Sequence, residues 1–210
     1  MDTYSGVVTE LKKFESHQEF CLIIVGYTFK TSLIYCGIYN SLSGWWTNPS
    51  PPWYKVNVDG AIFEAQHATS VGVIFRDHGG LVVAALSKKV FCPLGPLEAE
   101  AKALEEAVDF AWDVGIRDAH FECDSKMIVD AVLCTICPQA SIYNIITCIG
   151  QKVQAFRSFQ FSHIKRTGNR PAHILAQHAK NIDNYVTWIE ENPDFIESAL
   201  TQDVLLLSSS

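Results

Sequence analysis

The sequence predicts an α/β fold: an antiparallel meander of three strands, then a helix that crosses over into parallel strands. Three observations carry this expectation. Tyr54, Val56 and Val58 alternate with Lys55, Asn57 and Asp59, the period-2 pattern of a strand with one buried face. Two further strand-like runs, Ser70–Arg76 and Leu81–Ser87, are separated by Asp77-His78-Gly79-Gly80, turn residues that make them a hairpin. Leu97, Ala101, Leu104, Val108 and Ala111 then recur at helical spacing, and Ala119–Asp124 follows as a short strand. A strand, a helix and a strand in that order predict a crossover and a parallel pair.

Bulk properties set the frame. A chain of 210 residues, nearly half of them apolar, is one domain with extensions or at most two small domains. A formal charge of −7 excludes a generally basic, histone-like binder but not a local basic face. The cysteines (Cys21, Cys36, Cys92, Cys123, Cys134, Cys137 and Cys148) have no repeated spacing. Cys134 and Cys137 have C-x-x-C form, yet no second Cys or His pair stands at zinc-finger distance, so scattered reduced thiols are expected. Asp2, Glu10, Glu15 and Glu19 speak against a secretory signal, and the expected setting is intracellular and reducing. Phe20–Tyr39 is apolar, but Lys30 interrupts it and neither half approaches the ~20 residues of a membrane span. No membrane role is expected, and a monomer is the expected state.

Residues 1–50 read as a poorly defined extension, in which Glu10–Glu19 is polar and Cys21–Tyr39 has no clean period. Gly44–Trp53 reads as a boundary because its prolines, Pro49, Pro51 and Pro52, continue neither a helix nor a central strand. The main domain is expected over residues 51–182, with a C-terminal tail over 183–210. The first long helix starts after Cys92-Pro93-Leu94-Gly95-Pro96 and ends near Gly115. At ~100° per residue, Glu100 lies beside its apolar stripe, whereas Glu98, Glu105, Glu106, Asp109 and Asp113 turn further toward solvent. Met127–Cys134 and Ile142–Phe156 read as helices, and Ser158–Lys165 as a strand with Phe159, Phe161 and His163 on one face. Arg166–Arg170 is a loop, and Pro171 opens a last helix with Ala172, Leu175, Ala176 and Ala179 inward. No Asp or Glu occurs from Ala131 to Ile182, a span holding Lys152, Arg157, Lys165, Arg166, Arg170 and Lys180. This is either a basic face for a polyanion or local composition.

The acids draw the chemistry. Asp59 ends its strand beside Gly60 and Ala61, small residues that let a metal ion or a backbone reach the carboxylate; an Asx-type turn is the alternative. Asp124 stands at the carboxyl end of its strand, where open α/β sheets place their sites, or is a capping acid beside Ser125. Asp59, Glu100 and Asp124 lie on three elements, and clustered like charges are costly unless cations neutralise them. A Mg²⁺ pair ~3.5–4 Å apart makes such a cluster useful, one ion activating water and the other stabilising the leaving oxygen of an in-line phosphodiester attack.

Five separated segments share an order and spacing: K-V-N-V-D-G-A (55–61), R-D-H-G-G (76–80), E-A-E-A-K-A-L (98–104), E-C-D-S-K (122–126) and F-S-H-I-K-R…N-R-P-A-H-I-L-A (161–176). Together they resemble the ribonuclease-H-like domains of plant retrotransposon-derived, reverse-transcriptase-like proteins, over roughly Trp53 to Asn181. The resemblance implies a mixed five-stranded sheet flanked by helices, and metal-dependent endonucleolytic hydrolysis of the RNA strand in RNA–DNA hybrids, with Mg²⁺ in a two-metal site or Mn²⁺ in its place. By position it assigns metal-binding roles to Asp59, Glu100 and Asp124, Asp59 bridging both ions. It also expects a fourth carboxylate early in the last helix, where this chain has His173. An imidazole suits softer ions such as Mn²⁺ or Zn²⁺ and removes a negative charge from the site. Arg166 stands where many relatives have a histidine that helps product leave. Lys165, Arg166, Asn169 and Arg170 are the expected nucleic-acid contacts, while contacts to successive 2′-hydroxyls would select RNA. The expectations are thus a ribonuclease H weakened at His173, a catalytically inactive nucleic-acid-binding domain, or a retroelement relic.

Overall fold

The computed structural model describes residues 46–207; the expectations for Glu10–Glu19, Phe20–Tyr39, Cys21 and Cys36 lie outside the described residues. In chain order the elements are β1 (Tyr54–Phe63), β2 (Ala68–Arg76), β3 (Val82–Val90), α1 (Pro96–Asp113), β4 (Asp118–Cys123), α2 (Lys126–Val132), α3 (Tyr143–Val153), β5 (Ser158–His163), α4 (Arg170–His178), β6 (Tyr185–Ile189) and α5 (Glu197–Leu207). The strands form one mixed sheet in the order β5-β4-β1-β2-β3-β6. β1, β2 and β3 are the expected antiparallel meander, and β1, β4 and β5 run parallel.

Two corrections concern strands. The sheet has six members, not five: Tyr185–Ile189 pairs antiparallel with β3, from Lys88↔Tyr185 to Ala84↔Ile189. This segment lies in the stretch read as a tail, and it covers backbone groups that β3 would otherwise present as an open edge. β1 also runs further than its alternation suggested. Its parallel pairing with β4 stops at Val58↔Cys123, but its pairing with β2 continues through Phe63↔Ala68. Asp59 is therefore mid-strand, one residue beyond the last parallel pair.

The main core lies between the sheet and α1, α2 and α3, where Val56, Val58, Phe75, Leu104, Val108, Phe121, Ile128 and Ile149 are buried together. Phe121 stacks on Phe161 at 5.3 Å between ring centroids, the parallel pairing having placed these residues side by side. The opposite face of the meander carries α4, with Ile74, Val82, Ala85, Ala172, Leu175 and Ile196 packed together. All nine residues of β2 are buried, as befits a central strand covered on both sides. A Cβ at Gly72 would stand 2.1 Å from the Ala172 carbonyl oxygen and 2.3 Å from the Ala176 nitrogen. Only glycine admits a helix backbone this close.

The second face of β1 departs from its expected character. Lys55, Asn57 and Asp59 are polar, yet they are 5, 0 and 4 % exposed. A hydrogen-bonded chain accounts for Lys55 and Asn57. Lys55 Nζ lies 3.1 Å from Glu122 Oε1 and donates to Thr47 Oγ1; Asn57 Nδ2 donates to Glu122 Oε2 at 2.9 Å. Arg76 donates to Asn57 Oδ1 and to Asp203 Oδ2, both at 2.7 Å. Trp46 covers the Arg76 guanidinium at 3.6 Å, so part of the segment read as a boundary is packed inside. Two cations and two anions balance, which is what permits their burial. Asp203 comes from α5, again from the stretch read as a tail.

Candidate active site at the ends of two parallel strands

Asp59 lies one residue past the parallel pairing on β1, and Asp124 directly follows β4, so adjacent strands bring their carboxylates level. Glu100 arrives from the second turn of α1. A Cβ at Gly60 would be 2.7 Å from the Ala99 carbonyl oxygen, so glycine at that position lets the helix backbone touch the strand. The Gly60 N–H donates to the Glu100 carboxylate.

The three acids strain against one another. Glu100 is pushed up to about 8, first by burial and then by Asp59 and Asp124, against the opposing pull of the Gly60 N–H and Arg166. Asp59 is pushed up to about 6 by burial and by Asp124, with His173 and Arg166 opposing. Burial is the larger cause at both groups, and repulsion from the neighbouring acids adds to it.

His173, in the first turns of α4, is the fourth member. Its Nδ1 lies 3.0 Å from Asp59 Oδ2; the carboxylate accepts, which places the proton on Nδ1. Gly72 pairs with Asp59 and is also where α4 touches the sheet, so one close approach sets this contact. Arg166 donates from Nε to Asp124 Oδ2 at 3.1 Å while its side chain is 93 % exposed.

Asp59, Glu100, Asp124, His173 and Arg166 therefore lie together, and Lys165, next to Arg166 in the chain, is exposed. Two expected nucleic-acid contacts are placed otherwise. Asn169 is 1 % exposed and its amide donates to the Val58 carbonyl at 2.8 Å, tying the loop to the strand that carries Asp59. It is buried because that carbonyl needs a donor where β1 parts from β4. Arg170 is exposed but donates to Gln202 on α5.

Two residues were missed. His163, read as a face of β5, donates from Nε2 to the Asp124 carbonyl at 3.2 Å. Cys123, immediately before Asp124, is fully buried; its Sγ accepts from the Ser125 N–H at 3.3 Å and lies 3.8 Å from Glu100 Oε2. Burial and the neighbouring Glu100 push its thiol up. A Glu100 oxygen, Cys123 Sγ and an Asp124 oxygen lie within 4.8 Å of one another. Among the described residues this is the group spaced to share an ion, and Cys134 and Cys137 are not in it. The only readable signal was adjacency, E-C-D at a strand end. Among the described residues no helix is long and apolar enough to cross a membrane.

Residues 57–179 match the model of a family described as reverse transcriptase-like. No curated protein sequence matches the chain. Among solved structures, RNase H1 from the archaeon Halobacterium salinarum is similar with a TM-score of 0.58 and 21 % identity, over 61 % of this chain and 98 % of that one. The N-terminal RNase H domain of a Mycobacterium tuberculosis protein gives 0.56 and 18 %, over 61 and 94 %. An RNase H1 isolated from compost, solved in complex with an RNA/DNA hybrid, gives 0.56 and 19 %, over 61 and 96 %. At these identities the likeness is one of fold: the sheet and its helices are RNase H-like.

Proposed function

Since the chain belongs to the reverse transcriptase-like family, we propose that it binds RNA–DNA hybrids and hydrolyses their RNA strand endonucleolytically, with divalent cations held by Asp59, Glu100 and Asp124. The observation that carries this reading is the meeting of those three acids, from β1, α1 and the end of β4, in one partly buried spot. Their donor chemistry fits a hard divalent ion: the oxygens are carboxylate oxygens, and Glu100 and Asp59 carry raised pKa values that a nearby cation would relieve. When bound, such ions would activate water and stabilise the leaving 3′-oxygen.

The chain's own residues do the rest. The Gly60 N–H and the packing of α1 hold the Glu100 carboxylate, and His163 holds the Asp124 backbone. Arg166 stands exposed beside the acids and Lys165 precedes it, also exposed, so that a phosphate backbone would find positive charge on an otherwise acidic protein. Asn169 keeps that loop against β1. His173 supplies a hydrogen bond to Asp59 and no anionic oxygen, which lowers the site's charge for Mg²⁺ and weakens turnover.

A second reading rests on the same hydrogen bond: with His173 on Asp59 and Arg166 on Asp124, two acids are already satisfied, and the domain binds hybrid without cutting it. Cleavage of an end-labelled hybrid in Mg²⁺ and then Mn²⁺ separates the two. Cleavage by the wild type that is lost in Asp124→Asn supports the enzyme. Silence in the wild type with cleavage by His173→Asp identifies a hydrolase disabled at one ligand. Silence in both, with hybrid affinity that falls steeply with salt, leaves the binding domain. No hybrid binding under any condition ends both readings.

A further inference from the structure

Carboxylate oxygens alone would describe a magnesium site, but the sulfur of Cys123 stands among them, 3.8 Å from Glu100 Oε2. Glu100, Cys123 and Asp124 place one oxygen, one sulfur and one oxygen within 4.8 Å of one another, from the second turn of α1 and from two consecutive residues at the end of β4. Cys123 Sγ is buried, lies 3.8 Å from Glu100 Oε2 and accepts from the Ser125 N–H at 3.3 Å. We propose that this triad is a site for a thiophilic divalent ion of the Zn²⁺ class, which binds through sulfur more tightly than Mg²⁺ does and competes with it at Asp124 and Glu100. The inference rests on reading these acids as metal ligands, and it names the ion and the regulation.

The chemistry is specific. Mg²⁺ prefers oxygen and dehydrates reluctantly, so it gains nothing from a thiol. Zn²⁺ takes mixed sulfur and oxygen donors in a tetrahedron, with bonds of roughly 2.0–2.3 Å that place ligand atoms about 3.5 Å apart. The triad needs a contraction of about 1 Å to reach that spacing, within the freedom of the Glu100 and Asp124 side chains. Water would take the fourth position. Binding exchanges water on the ion for one metal–sulfur and two metal–oxygen bonds, and releases to solvent the thiol proton and any proton Glu100 holds. An ion seated there occupies an oxygen of both acids, so zinc would hold the domain in a hybrid-binding, non-cutting state.

The test uses the full chain and Co²⁺ as a coloured surrogate for Zn²⁺. The wild type is expected to develop a thiolate-to-cobalt charge-transfer band in the near ultraviolet that Zn²⁺ bleaches and a large excess of Mg²⁺ does not. Cys123→Ser, checked for an unchanged melt, should lose the band and more than about tenfold in Zn²⁺ affinity, with Mn²⁺ affinity unaltered. Glu100→Gln serves as the second variant and should weaken Zn²⁺ binding with the sulfur in place. A Cys134→Ser/Cys137→Ser double variant should keep the band. A band that survives Cys123→Ser, or disappears in the double variant, overturns the proposal, as does the absence of any band. Hybrid binding read in parallel is independent: its loss would end the proposed function without touching the zinc titration.

Discussion

Removing Asp203 tests whether the C-terminal helix belongs to the folded unit. Arg76 is 1 % exposed, its charge disfavoured by burial, and its carboxylate partner lies 2.7 Å away on α5. Asp203→Ala leaves that guanidinium with Asn57 Oδ1 and the face of Trp46. Breaking a buried ion pair from one side costs about 3–5 kcal/mol, and the two remaining contacts put this case near the lower end, about 3 kcal/mol. For a domain of this size that is a fall in Tm of about 6–12 °C. Urea unfolding at neutral pH should show a lower midpoint with an unchanged slope, since the same surface is exposed. The paired replacement Arg76→Met/Asp203→Leu should recover most of the loss, because no charge is then stranded. A loss below about 0.5 kcal/mol for Asp203→Ala would refute the reasoning, as would a second, earlier transition showing α5 detaching by itself.

Three further outcomes are expected. Glu100 and Asp59 hold protons in the folded state up to about 8 and about 6, whereas their unfolded values are 4.5 and 3.8. The folded state therefore binds more protons in that window, and stability should fall as pH rises from 5 to 8.5, by at most about 1.4 kcal/mol per pH unit for each group. Chelator-treated protein should show this slope in urea titrations, and a flat profile would contradict it. His120 has the opposite sign: burial holds it down at about 4, against 6.5 unfolded, with its Nε2 on Ser162. Stability is lost as pH falls from 6.5 toward 4, by at most about 3 kcal/mol. His120→Gln should remove that component, seen as a smaller difference between unfolding at pH 7 and pH 4.5; an unchanged difference would sink the assignment. Gly72→Ala should cost about 3 kcal/mol, because its Cβ meets helix backbone that cannot swing aside. Calorimetry with no change in Tm would show that α4 has slack.

The sequence displayed what depends on near neighbours. Alternation in β1, turn chemistry between β2 and β3 and the helical spacing of Leu97 to Ala111 are local signals, and they placed Asp59, Glu100 and Asp124 on the right elements. The polar face of β1 could not be read as buried, because the anions that satisfy it are distant, Glu122 lying 65 residues from Asn57 and Asp203 127 from Arg76, and the nearer Trp46 and Arg76 meet over it only in the folded chain. β6 is five residues with alternating exposure, too short to stand out until its pairing with β3 is known. Asn169 looked like a loop amide free to meet phosphate; only the bare Val58 carbonyl explains its burial. Cys123 was one thiol among seven until β4 and α1 brought it beside Glu100.

The ion pair between Arg76 and Asp203 also sets a clock on biosynthesis. The partners are 127 residues apart, so at about 5–20 residues per second a ribosome needs about 6–25 s after making Arg76 to deliver its counter-ion. Until then the Arg76 guanidinium lacks its counter-ion, and β3, which ends at Val90, waits for Tyr185–Ile189. The nascent chain must stay soluble through that interval with that charge unpaired and that edge uncovered, so the order of translation is itself a demand on the fold and a reason for a chaperone to meet it early.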